Sequence, residues 1–285
     1  MSYADFVSRK LSMVAPVGYS NPGEMPAHMF PHLRDLTAWA LRRGRCAIFA
    51  DTGLGKSRME VTWADVVTRR EGRPVLILAP LAVAAQTAQE GADIGVRVTV
   101  CRDDSDVRGG VNITNYDRLH RFDTSRFAGV VLDESSIIKH HDAKTLRILM
   151  DAFHRTPFRL CASATPAPND WTELGTHAEF LGICKRTEML SEFFVHDGGD
   201  TGVWRLKGHA REQFWKWVVS WGALIRRPSD LGHDDAAVVR HAESNGGGGG
   251  RRRTEGGRPD DQRPAGSGRR TPGQRCRDLS AVWHD

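Results

Sequence analysis

A chain of 285 residues with 40% apolar side chains is long enough for one large or two modest domains with a true core. No stretch approaches the roughly 20 apolar residues that cross a bilayer, and the charged segment 1–10 leads into no signal-peptide core, so the expectation is a cytoplasmic protein with no membrane partner. The net charge of +5 does not by itself argue for a nucleic acid, because residues 236–285 hold ten Arg, no Lys and six acids and so carry most of it.

The five cysteines, Cys46, Cys101, Cys161, Cys184 and Cys276, are odd in number and widely scattered. That excludes a disulfide framework or a zinc spacing and reads as buried thiols.

In chain order, residues 1–26 are weakly patterned, broken by Pro16, Pro22 and Gly23, and read as an N-terminal extension. From Phe30 the spacing of Leu33, Leu36, Trp39 and Ala40 predicts a helix that ends at Gly44. A short strand, Cys46 to Ala50, follows, then a loop with Gly53 and Gly55, then a helix opened by Lys56 and Ser57 and continued by Met59, Trp63, Val66 and Val67. The continuous apolar run Val75 to Ala79, bounded by Pro74 and Pro80, reads as a strand buried on both faces. Further strands are expected at 96–101, 111–114, 129–132 and 158–162, with helices at 81–90 and 143–154 between them. Strands alternating with helices predict an α/β fold with a doubly wound, mainly parallel sheet, which binds ligands at the carboxyl ends of its strands.

Beyond Trp171 the text is helical in character, and Phe214, Trp217, Val218, Trp221, Leu224 and Ile225 form an apolar stripe ended by Arg226-Arg227-Pro228. Trp204, Trp215, Trp217 and Trp221 lie near basic residues and could stack on bases, although at helical spacing such residues are more often core. Residues 186–235 are thus expected to be a helical extension, and 236–285, a Gly- and Arg-rich mixture with few apolar residues, a disordered tail.

Three short motifs carry chemistry. In the first, Asp51-Thr52-Gly53-Leu54-Gly55-Lys56-Ser57 forms a phosphate cradle: glycines turn backbone N–H groups onto an anion, a helix N-terminus adds its positive end, Lys56 reaches the outer phosphates and Ser57 holds magnesium. In the second, the apolar strand 130–132 ends in Asp133 and Glu134, two adjacent acids suited to phosphoryl transfer, Asp133 for the metal and Glu134 for the attacking water. In the third, Ser163-Ala164-Thr165 follows another strand, so that Ser163 and Thr165 can bond to the acid pair and report the nucleotide state.

The ordered set Ala-x-x-Gly-x-Gly-Lys-Ser, Asp-Glu-Ser-Ser and Ser-Ala-Thr resembles the first RecA-like domain of superfamily-two helicases and translocases, most of all the Swi/Snf-type branch of phages and bacteria. The resemblance covers about Phe30 to Leu231, with the ATP-binding domain proper at 27–185. It implies ATP and Mg2+ as cofactors and DNA, less so RNA, as partner. It also implies nucleic-acid-contacting loops at Pro80 and Leu81 and at Thr114, Asn115 and Tyr116, which hold the backbone of one strand without reading bases.

Two departures from that pattern matter. Leu33 stands where the family usually has a glutamine that recognises adenine, and a leucine can make none of those hydrogen bonds. The family also needs a second RecA-like domain, and the 50 residues after Asp235 have the wrong composition for one. A second chain could supply it, or the coding sequence past 226–230 is replaced by frame-shifted text. Second-domain motifs in a neighbouring frame of the source locus are the expected sign of the latter. The implied function is the ATP-hydrolysing half of a nucleic-acid-dependent ATPase, set against two alternatives: a silent nucleotide- or nucleic-acid-binding fragment, and a phosphate-loop ATPase acting on protein partners.

Overall fold

The computed structural model describes residues 13–27, 29–140, 143–165, 170–197 and 200–235. The tail 236–285, its arginines and Cys276 lie outside them.

The first helix, α1 (Pro31–Arg43), starts on a proline that presets helical φ and ends at Gly44. Its last carbonyls are satisfied from outside the helix: Val17, Gly18 and Tyr19 donate their N–H groups to Arg43, Arg42 and Leu41. Strand β1 (Arg45–Ala50) leads through the glycine loop into α2 (Lys56–Glu71), then β2 (Val75–Ala79) and α3 (Ala84–Asp93). The chain continues through β3 (Val98–Val100), β4 (Val111–Asn115), β5 (Gly129–Leu132), α4 (Ile137–His140), α5 (Ala143–Phe153) and β6 (Phe158–Ser163). After these come α6 (Leu174–Leu181), α7 (Arg186–Phe193), the hairpin β7 (Phe194–Asp197) and β8 (Asp200–Leu206), α8 (Arg211–Val219) and β9 (Gly222–Ile225).

Seven strands form one sheet in the order β3-β4-β2-β5-β6-β1-β9, and every pairing in it is parallel. Helices cover both faces, as a parallel sheet requires. Alternation along each strand sorts the core: Ile48, Ile77, Val131 and Leu160 meet Leu36, Met59 and Trp63 on one face. Phe49, Leu78, Leu132 and Cys161 meet Phe153, Phe180, Phe214 and Trp217 on the other. Cys46, Cys101 and Cys161 are buried free thiols, and Cys184 is half-buried.

The apolar stripe 214–225 does not form the single helix its spacing suggests. It divides after Val219: α8 stops, Ser220 Oγ bonds back to Trp217 O at 2.6 Å, and Gly222 opens β9, which pairs with β1 as the edge strand of the main sheet. The helical spacing persists across the break because Trp217 and Trp221 both pack into one cluster, their rings 5.3 Å apart. Trp215, Trp217 and Trp221 are therefore core, and Trp204 stacks on His196 at 3.7 Å within the hairpin.

Trp221 is fully buried and meets Phe49 of β1 edge-on. Trp221→Ala is expected to lower the stability of the whole sheet by about 3–5 kcal/mol. Urea unfolding followed by both tryptophan fluorescence and far-UV circular dichroism should show a single shifted transition; a sheet transition left unmoved would make 211–225 a separate unit.

Candidate functional site

The three motifs leave from three neighbouring strands. β6 lies between β1 and β5, so the glycine loop and the acid pair stand on either side of Ser163. In the loop, Gly53 and Gly55 have φ of 81° and 83°, a left-handed conformation that other residues adopt at a cost. Gly55 is doubly constrained, because a Cβ there would lie 2.9 Å from Leu33 Cδ1. At Gly53 the space is open.

Asp51, Thr52 and Gly53 are exposed, whereas Leu54 is buried and Lys56 and Ser57 in the first turn of α2 are half-buried. Lys56 Nζ donates to Ala50 O at 2.7 Å and Asp51 O at 3.1 Å, curled under its own loop. Asp51 Oδ1 accepts from Thr52 N at 2.7 Å, and Asp51 N bonds to Ile225 O of β9 at 3.0 Å. His32 Nε2 lies 3.4 Å from Leu54 O. Burial holds the His32 imidazole below its ordinary pKa, against the pull of that carbonyl.

Across β6, Asp133 N donates to Leu78 O and Ser135 N to Ala162 O, both at 2.8 Å, which prolongs the ladders past the strand ends. Between them Glu134 takes φ 51°, the one left-handed residue other than glycine among those described. Such backbone costs roughly 1–2 kcal/mol and persists when side-chain bonds enforce it. Here Ser163 Oγ donates to Glu134 Oε1 at 3.0 Å and Ser136 Oγ to the same oxygen at 2.5 Å. Ser163 Oγ also accepts from Thr165 N at 3.1 Å, so the Ser163–Thr165 turn and the acid are joined through one hydroxyl. Burial pushes the Asp133 carboxyl up to about 6; the adjacent Glu134 charge adds to this, while the Glu134 N–H and Lys56 oppose it.

Pro80 and Leu81 follow β2, and Leu81 is 69% exposed. Thr114 and Asn115 are different, since both belong to β4 and are buried. Thr114 Oγ1 donates to Cys101 O at 2.8 Å, so that side chain is committed to the protein's own backbone. Tyr116 points inward too, donating to Asp133 O at 2.8 Å, which ties the end of β4 to the acid pair. Burial keeps its phenol well above the ordinary pKa, a neutral donor.

Two features escape a sequence reading. Ser135 Oγ lies 3.1 Å from His177 Nε2, both fully buried, linking the acid loop to α6; nothing in the spacing of residues 42 apart announces it. Glu60, one turn beyond Lys56, is fully buried, and neither carboxyl oxygen has a hydrogen-bond partner among the described residues. Its signal was present: an acid three and seven residues before Trp63 and Val67 interrupts the apolar stripe of α2.

The residues fit a nucleotide triphosphate and magnesium. The open, left-handed Gly53 leaves room for an anion against the N-terminus of α2. Among the described residues no group of three or more His, Cys, Asp or Glu side chains could hold a metal. Ser57 and Asp133 could offer the one or two oxygens that magnesium takes from a protein, its shell being completed by phosphate and water.

No protein-family model matches the sequence, and no curated protein matches it. The fold is shared with solved structures: it is a RecA-like α/β domain. The SWI2/SNF2 ATPase core of Sulfolobus solfataricus, solved in complex with dsDNA, is 20% identical, with a TM-score of 0.55 over 72% of this chain and 46% of that one. The UvsW helicase of bacteriophage T4 is 16% identical (TM-score 0.46, 65% of this chain and 66% of that one). The Hef helicase domain of Pyrococcus furiosus is 17% identical (TM-score 0.45, 53% and 36%). The chain thus spans less than half the length of the SWI2/SNF2 core it matches.

Because the folded pKa of His32 lies below the ordinary 6.5, the unfolded chain takes up a proton first as pH falls. The stability contributed by neutral His32 is complete above pH 6.5 and is lost as pH drops through its folded pKa. His32→Gln should flatten that limb of the stability–pH curve, measured as the difference in urea midpoint between parent and variant from pH 8 to pH 5.

Proposed function

We propose that this chain is the ATP-binding half of a nucleic-acid-dependent ATPase, a helicase or DNA translocase that hydrolyses magnesium-ATP to move along DNA. The observation that carries the reading is the Ser163–Glu134 bond, which joins the third motif to the second at 3.0 Å beside the glycine loop. Support for DNA comes from the SWI2/SNF2 core of the same fold, whose structure contains dsDNA.

In this reading Lys56 leaves the carbonyls of Ala50 and Asp51 for the outer phosphates, while the N–H groups of the Gly53–Ser57 turn hold the inner ones. Ser57 and Asp133 hold magnesium, which when bound neutralises charge on the phosphates. Glu134, held by Ser163 and Ser136, orients the attacking water and accepts its proton. A change in that contact passes through Ser163 to Thr165 and through the Asp133 carbonyl to Tyr116. Pro80 and exposed Leu81 touch the nucleic-acid backbone; Asn115 and Tyr116 act from behind it, as part of the link to the acids.

Leu33 packs on Gly55 and offers no amide to a base, so discrimination between ATP and other triphosphates is weak. An arginine supplied by a second RecA-like domain contributes on the order of 10³ to 10⁵ in rate in phosphate-loop enzymes, so turnover is slow wherever no such arginine reaches the site.

Phosphate release from magnesium-ATP, with and without single- and double-stranded DNA, tests the proposal. DNA-stimulated release is expected, reduced by on the order of 10² or more in Glu134→Gln, which keeps nucleotide affinity within about threefold. Lys56→Ala should lose nucleotide binding. Equal binding by Lys56→Ala and the parent overturns the cradle; bound nucleotide with no release under any condition identifies a silent binding fragment.

A further inference from the structure

Glu60 is an acid where packing alone would place an aliphatic residue. It sits on the inward face of α2, three residues beyond Ser57 and four beyond Lys56, with no exposed surface and, among the described residues, no partner for either oxygen. An ionised carboxylate in that state is disfavoured by several kcal/mol, and a well-packed apolar side chain of similar volume would do better. The charged groups that act on it are Asp133, Lys56, Glu90 and Glu134, three acids to one cation, and burial together with Asp133 pushes its carboxyl well up. Lys56 is already bonded to two loop carbonyls, so it does not serve as the partner. Among the described residues the carboxyl therefore lacks donors and is outnumbered in charge, and it lies three residues from Ser57 and within the field of Asp133, the two residues proposed to hold magnesium.

We propose that Glu60 is a positioning residue for that magnesium ion, accepting hydrogen bonds from water bound to it and so orienting the ion held by Ser57 and Asp133. The inference rests on the nucleotide-site reading above. A hydrated Mg2+ brings the missing items together, several water donors and a double positive charge, and it characteristically keeps those waters when protein-bound. Groups that orient metal-bound ligands in this way influence affinity by roughly 10- to 100-fold.

The test uses the full chain and Mn2+ as the probe, titrated in the presence of a non-hydrolysable ATP analogue and read by the electron paramagnetic resonance of free Mn2+. Glu60→Gln and Glu60→Met are expected to weaken Mn2+ by about tenfold or more, with Glu60→Asp intermediate. Analogue binding in EDTA should stay within twofold of the parent in all three, because the cradle is untouched. Parent-like Mn2+ affinity in Gln and Met variants overturns the proposal and leaves Glu60 a buried structural acid. Loss of cooperative melting in all three variants overturns it as well, assigning Glu60 to folding. A parent that binds neither analogue nor Mn2+ overturns the nucleotide-site reading itself, and this one with it.

Discussion

Parallel hydrogen bonding sets Phe49 opposite Ser163 and Leu132 opposite Cys161, and these pairings fix the height at which three loops leave the sheet. Glu134, two residues past Leu132, comes level with Ser163, two past Cys161, so their side chains meet without any further device. Neighbouring strands lie about 4.8 Å apart, and with β6 between them β1 and β5 are separated by roughly 10 Å. That width leaves room for phosphate and a metal ion between the glycine loop and the acids. A slip of one residue in either ladder would turn every buried side chain of a strand to the opposite face, so the same alternation that builds the core also holds the site in register.

The far edge of the sheet takes part in this. Asp51, the first residue of the loop, bonds to Ile225 at the end of β9, and β9 is pressed onto β1 by Trp221 against Phe49. The aromatic cluster of Phe193, Phe214, Trp217 and Trp221 is thus linked through β9 to the start of the glycine loop. On the other flank, Tyr116 and His177 tie the acid loop to β4 and α6. Both bonds end on the segment 133–135, from opposite sides.

Much of the fold is legible in the sequence because buried parallel strands are written as unbroken apolar runs. Val75–Ala79 and Gly129–Leu132 have in the structure the limits their apolar runs suggest. The loop glycines were legible for a related reason: their left-handed φ admits few other residues. What stayed hidden depends on partners distant in sequence. β9 reads as a continuation of α8, since Trp217 and Trp221 have helical spacing for the unrelated reason that both face one cluster. The hairpin β7–β8 lies outside the main sheet, with Val195 39% exposed, and so lacks the dense apolar signature of the other strands. Thr114 looked like loop because a threonine bonded to Cys101 O and one free to touch a ligand are the same letter.

The acids of the site are held in a state that favours an occupant. Glu134 has strained backbone, burial pushes the Asp133 carboxyl up to about 6, and Glu60 is buried without a hydrogen-bond partner among the described residues. Each would be better served by a different residue if the fold alone were at stake. Packing three carboxyls near one lysine leaves the region short of positive charge, and a bound divalent cation supplies it. Anything that binds the folded state alone stabilises it by mass action, so the strain becomes part of the binding equilibrium. Charge at the acids bears directly on the contacts of Glu134 with Ser163 and of Asp133 with Tyr116. Those two bonds lead from the acid pair in opposite directions along the sheet, toward β6 and toward β4.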